Sequence, residues 1–125
     1  MNSFKPVVVG LGEILWDLLP AGKQLGGAPA IFADQDGALG AAASVVSAVG
    51  DDPLGREIIA RLDALGVDRR CVATDPAHPT GTVSVKLDVA GVPTYEIHRP
   101  VAWDFVHWSE ELATLAHTAD AVCFG

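Results

Sequence analysis

Positive charge is scarce in this chain. Eight Lys and Arg stand against sixteen Asp and Glu, a formal net charge of −8 at pH 7. That balance argues against a surface for nucleic acid or an anionic membrane, because both partners are themselves negative. A small neutral ligand, or one escorted by a metal ion, fits better. Cysteine is rare as well: Cys71 and Cys123 lie far apart without a partner motif, and Cys123 sits inside the apolar run Ala121-Val122-Cys123-Phe124. Reduced thiols in a cytoplasmic protein, with Cys123 buried, are expected in preference to a disulfide. Long apolar runs are missing too. After Met1-Asn2-Ser3-Phe4-Lys5-Pro6 the first run is broken by Gly10 and Gly12, too soon for a signal-peptide core or a membrane span.

Several chemical motifs are likewise absent. The histidines His78, His98, His107 and His117 match no helical pair and no Cys-His spacing for a metal. Asp34, Asp36 and Gly37 resemble a fragment of a calcium loop, but the third early ligand and the distal glutamate are missing. Gly10-Leu11-Gly12 begins like a dinucleotide fingerprint, yet its third glycine would fall at Leu15 and no helix start follows. There is no phosphate-binding P-loop, no G-x-S-x-G elbow, no internal repeat and no low-complexity tract.

What is present suffices for one modest domain, or part of one: 125 residues, 50% of them hydrophobic. Val7-Val8-Val9-Gly10 reads as a buried strand of a sheet covered on both faces. Glu13 to Pro20 continues as extended chain and places Asp17 just beyond the end of that strand. There a carboxylate is either a turn residue or a ligand contact, since open α/β sheets bind ligands at this edge. Gly26 and Gly27 permit close approach, Pro29 suits a first helical turn, and Leu39-Gly40 ends the helix. Ser44 to Val49 reads as a second buried strand stopped by Gly50.

Gly50-Asp51-Asp52-Pro53 is the clearest helix start, with Leu54, Ile58, Ile59, Leu62 and Leu65 forming one face and Gly66 closing it. From Thr80 the period changes to two. Val83, Val85 and Leu87, then Tyr95 and Ile97, alternate with polar residues around the turn Ala90-Gly91-Val92-Pro93, which predicts an antiparallel hairpin and a candidate lid. Trp103 and Trp108 follow in an irregular stretch, and Ser109 caps a short helix reaching about His117. Ala121 to Gly125 reads as another buried strand. A core strand with no helix after it to cover it leads one to expect a chain cut within its fold.

The blocks VVVGLGEILWDLLP (7 to 20), LGGAPA (25 to 30), VVSAVGDDPLGREIIARLDALGV (45 to 67) and HPTGTVSVKLDVAGVPTYEIHRPVAWD (78 to 104) occur in an order that resembles the ribokinase-like, or PfkB-type, carbohydrate kinases. Within that family the likeness is greatest to bacterial fructokinases. The resemblance implies a three-layer α/β/α fold with an inserted hairpin lid, of which this chain is the N-terminal, sugar-side part. It implies transfer of the γ-phosphoryl group of ATP, with Mg2+, to a sugar hydroxyl. By matching family positions, Asp17 would bind sugar hydroxyls, Gly26 and Gly27 would lie against the sugar, Tyr95 and Ile97 would face inward from the lid, and Trp103 would be a pocket wall. Lids in the family also pair across subunits, so a homodimer through the hairpin is an expected partner arrangement.

Two departures stand out. The asparagine that usually follows GGAPA is Ile31 here. An isoleucine can neither donate nor accept, so a bond worth about 0.5–1.5 kcal/mol is lost at that position. The downstream G-A-G-D motif, with its catalytic base and anion hole, is not in these residues, so no catalytic residue and no ATP site is expected in this chain and it is expected to be inert alone. The competing expectations are a non-catalytic sugar-binding or dimerising module, and a sugar-acid or nucleoside kinase of the same fold.

Overall fold

The computed structural model describes residues 5–125, so Met1 to Phe4, part of the stretch read above for a leader, lies outside the described residues. In chain order the elements are β1 (Val7–Leu11), β2 (Leu15–Leu19), β3 (Gly22–Gly26), α1 (Ala28–Ala38), β4 (Ala42–Gly50), α2 (Pro53–Leu65), β5 (Val72–Asp75), β6 (Gly81–Leu87), β7 (Pro93–Ile97), a 3-10 turn at Ala102–Phe105, α3 (Glu110–Thr118) and β8 (Ala121–Phe124).

Two four-stranded sheets result. The first has the order β5-β4-β1-β8, and its neighbours are all parallel. Parallel sheets are covered on both faces, and the central strands β1 and β4 of this one are. Val8, Ala43, Val45, Val49 and Val72 share one face in register, and Ala30 and Ala33 of α1 with Ile58 and Leu62 of α2 pack on them as the main core. On the other face, Leu112, Leu115 and Ala116 of α3 stand near Val9, Val46 and Val122 around a cavity of about 440 Å³. Helices on both sides of a parallel sheet are the expected three-layer α/β/α arrangement.

Local signals account for the helices. The Asp52 side chain accepts from the Gly55 amide at 2.8 Å, Pro53 opens α2 where its missing N–H is harmless, and Gly66 closes the helix at φ 71°. Ser109 accepts from the Leu112 amide at 3.1 Å, and Glu110 and Glu111 lie in the first turn of α3, where the helix dipole favours negative charge.

Three expectations are corrected. β8 is not a buried strand: it lies at the sheet edge, paired only with β1, and Phe124 is 80% exposed. An edge strand gains ladder bonds and cover on one side only. Cys123 is accordingly half-buried rather than buried, and it and Cys71 are both free thiols. Finally, Asp17 is not just beyond the end of β1, because the chain after β1 joins the hairpin in a second sheet. β6 and β7 are joined to β2 and β3 in the second sheet, order β3-β2-β6-β7, with β2 and β6 parallel and the outer pairs antiparallel. Asp17 therefore lies within a strand of this second sheet, not in a turn just past the end of β1.

Candidate functional site

Register decides which side chains of the second sheet meet. Leu15 pairs with Gly26 and Gly81, Asp17 with Gln24 and Val83, Val83 with Ile97, and Val85 with Tyr95. Paired residues point to the same side of a sheet. One face therefore carries Asp17 together with Leu15, Gly26, Val83, Val85, Tyr95 and Ile97. Leu15, Val83 and Val85 are buried as a small second core with Leu19 against them. Tyr95 and Ile97, on the outermost strand, are 63% and 61% exposed. The opposite face carries Trp16 and Leu18, which pack into the main core.

Asp17 is half-buried among these apolar neighbours, and burial raises its carboxyl pKa above the ordinary carboxylate range. No hydrogen bond from the described residues offsets that desolvation. A side-chain carboxylate that is desolvated and not committed to a protein donor is free to accept from a ligand, and such groups are candidate sites.

The glycine pair explains how the carboxylate is seated. A Cβ on Gly26 would stand 2.5 Å from Asp17 Oδ2 and 2.9 Å from Leu15 Cδ1, so the carboxylate occupies the space a side chain would need. Gly27 has φ 99° and caps the start of α1, and a Cβ there would collide with the Glu13 carbonyl oxygen. Each glycine thus has a structural reason within the chain itself. α1 begins two residues after the one that seats Asp17, with Pro29 fully buried in its first turn. Ile31 lies in the same turn, its amide donating to the Gly27 carbonyl at 3.0 Å and its side chain 45% exposed. An exposed isoleucine at a helix entrance contributes little to the core.

Trp103 falls in the 3-10 turn that follows β7. Its indole lies where a Gly81 side chain would be, with Cδ1 and Nε1 at 2.7 and 2.9 Å from the Cβ position, and the Arg99 guanidinium sits 4.6 Å over the ring. Because Gly81 pairs with Leu15, the indole covers the same face as Asp17 at its inner end. The structure thus brings Asp17, Gly26, Tyr95, Ile97 and Trp103 to one face, while Gly27 and Ile31 belong to the adjoining helix start. Sequence reasoning missed Gly81, whose lack of a side chain admits Trp103, and Thr80, which is buried and bonded to Asp52. The signal was the triplet Thr80-Gly81-Thr82 at the point where the period changes. Among the described residues, no group of three or more His, Cys, Asp or Glu converges to hold a metal ion.

Residues 21–125 match the family described as pfkB family carbohydrate kinase. Fructokinase-1 of Zea mays is 33% identical over 124 residues, which cover 90% of this chain and 38% of that protein. A sugar kinase from Pyrococcus horikoshii has a crystal structure that superposes with a TM-score of 0.85 at 30% identity, covering 95% of this chain and 42% of that one. The same kinase is also solved in complex with ATP. A fructokinase of Vibrio cholerae, solved with fructose, ADP and calcium ion bound, superposes with a TM-score of 0.69 at 30% identity over 82% of this chain and 35% of that one. The chain spans 36% and 38% of the length of the curated relatives from P. horikoshii and Z. mays.

Proposed function

Because this chain belongs to the pfkB family of carbohydrate kinases, we propose that it supplies the sugar-binding part of an enzyme that transfers the γ-phosphoryl group of ATP to a sugar hydroxyl, with fructose as the first candidate. The observation that carries this reading is Asp17: a desolvated carboxylate with no donor among the described residues, on a face walled by Val83, Ile97 and the Trp103 indole. An ionised carboxylate can accept from two sugar hydroxyls at once, and the apolar wall suits the C–H faces of a sugar ring. In this reading the second sheet is the lid, and Tyr95 and Ile97 close over the substrate to exclude water. Gly26 and Gly27 bring the backbone up to the sugar. Ile31 stands where a polar contact is expected and shifts the preference among sugars.

The nucleotide, Mg2+ and the catalytic base belong, on this reading, to parts of the protein outside residues 1–125. Phosphoryl transfer depends on positioning and on charge stabilisation around the γ-phosphate, to which Mg2+ contributes when bound. The residues here bind and orient the acceptor, and the chain by itself is inert. No helix among the described residues is long and apolar enough to cross a membrane, and the proposed setting is the cytoplasm.

A second reading, a sugar-binding module that pairs with another copy through the lid, is favoured by β7, an edge strand whose exposed Tyr95 and Ile97 adjoin exposed Leu87. A sugar-acid or nucleoside kinase differs from the first reading only in substrate. Isothermal titration of the chain with fructose, ribose and 2-keto-3-deoxygluconate, without nucleotide, tests sugar recognition and separates the candidate substrates. Saturable heat with fructose alone supports the fructokinase reading, and heat with another of the three reassigns the substrate. No heat from any sugar, with circular dichroism showing a folded chain, overturns sugar recognition by these residues.

A further inference from the structure

The second sheet is held on the first by a small set of bonds that converge on the start of α2. Thr80, the residue before β6, is 3% exposed. Its amide donates to Asp52 Oδ2 at 2.9 Å and its hydroxyl to Asp52 Oδ1 at 2.6 Å, while the same hydroxyl oxygen accepts from the Gly50 amide at 2.9 Å. Asp52 Oδ1 also accepts from Gly55, so one carboxylate caps the helix and grips the strand. A side chain on Gly55 would collide with the Gly50 carbonyl oxygen and approach Thr80 Oγ1 to 2.8 Å, so the strand entry and the helix start are in close contact.

Two further strands of the second sheet reach the same helix. The Trp16 indole N–H of β2 donates to the Leu54 carbonyl at 3.0 Å. Lys23 of β3 pairs with Glu57 at 2.7 Å and lies 5.4 Å over the Trp16 ring. The chain leaving the sheet is tied to the chain entering it, because the Ala102 amide donates to the Pro79 carbonyl at 2.7 Å and the His78 ring stacks on Phe105 at 3.8 Å. Of these ties, the Asp52–Thr80 pair joins the start of α2 to the second sheet through two bonds, and Thr80, its buried member, directly precedes the strand that pairs with Leu15 and Asp17.

We propose that Asp52 is a positioning residue: through Thr80 it latches the second sheet to the first turn of α2 and so sets where the Asp17 face stands relative to the entrance of α1. That the face so positioned is a sugar site rests on the proposed function; the latch itself does not. Breaking it frees the second sheet to move as a unit while the parallel core stays closed. A residue that only capped its helix would leave the second sheet undisturbed.

Hydrogen exchange read by mass spectrometry tests this on the chain itself, with Thr80→Val, Thr80→Ser and Asp52→Asn. Amides of β2, β6 and β7 are expected to exchange about tenfold faster or more in Thr80→Val and Asp52→Asn, with β1 and β4 within about twofold of the parent except at Gly50, whose amide loses its own acceptor in Thr80→Val. Thr80→Ser, which keeps the hydroxyl, is expected to restore the parent pattern. Unchanged exchange in β2, β6 and β7, or equal acceleration of β1 and β4, overturns the proposal. Thr80→Val leaves the α2 cap in place and carries the test if Asp52→Asn does not fold. Sugar binding is not read, so failure of the substrate assignment leaves this result standing.

Discussion

Replacing Asp17 by Asn separates function from stability, because the two are expected to move in opposite directions. In the folded chain the carboxylate is desolvated, which raises its pKa, and no hydrogen bond from the described residues compensates. A carboxyl whose folded pKa lies above its unfolded value of about 3.9 binds more protons folded than unfolded between the two values. Stability then falls as pH rises through that window, and the full penalty is present at neutral pH. The isosteric amide removes it, so Asp17→Asn is expected to melt no lower than the parent at pH 7, with any advantage shrinking as the pH approaches 4. Sugar binding changes the other way. A hydrogen bond to a charged group contributes about 1.5–3 kcal/mol, and losing that increment weakens affinity about 10- to 150-fold. Thermal melts from pH 4 to 8 alongside titration calorimetry with fructose check both arms. A variant that melts well below the parent at pH 7 while binding the sugar as before would show that Asp17 is structural, and the argument from its unpaired, desolvated charge would be refuted.

Two further substitutions probe the same corner. Gly26→Ala sets a Cβ against Asp17 Oδ2 and Leu15 Cδ1, and the displaced carboxylate is expected to lower stability by about 1–3 kcal/mol in denaturant unfolding and to weaken sugar binding. Additivity with Asp17→Asn in a double-mutant cycle would show that the two do not interact. Ile31→Asn exchanges an exposed side chain, so stability is expected to stay within about 0.5 kcal/mol. If that turn faces the sugar, affinity improves about 2- to 12-fold, the value of one neutral hydrogen bond. Unchanged affinity for every sugar tried would remove Ile31 from the site.

Much of the first sheet was legible because its signals are local. A β-branched run marks β1 and β4, Asp52-Pro53 with Gly66 brackets α2, and strict alternation after Thr80 marks β6 and β7. β3 was missed because Gly-Lys-Gln-Leu-Gly has no alternating apolar face; it is a strand because β2 runs beside it. The short β5 was missed as well, being four residues placed against β4 by a parallel pairing. For the site, the residue types were visible but their company was not. Asp17 looked like a residue just beyond the end of a core strand because nothing in Glu13 to Pro20 announces a second sheet. β8 looked buried because an apolar sequence cannot report whether it will be paired on one side or two.

The sequence by itself determined the βα order, the helix ends, the hairpin and, through four ordered blocks, the carbohydrate kinase family. The first three follow from periodicity, capping and glycine placement, which act over a few residues at a time, and the family follows from the resemblance of those blocks to known kinases. Only the tertiary structure decided that Asp17, Gly26, Ile97 and Trp103 share one face, that Gly81 yields its space to an indole, and that Asp52 reaches past its own helix to Thr80, 28 residues away. The physical reason is register. Which residues meet across a sheet is set by pairing between distant strands, and a shift of one residue would turn Asp17 to the opposite face.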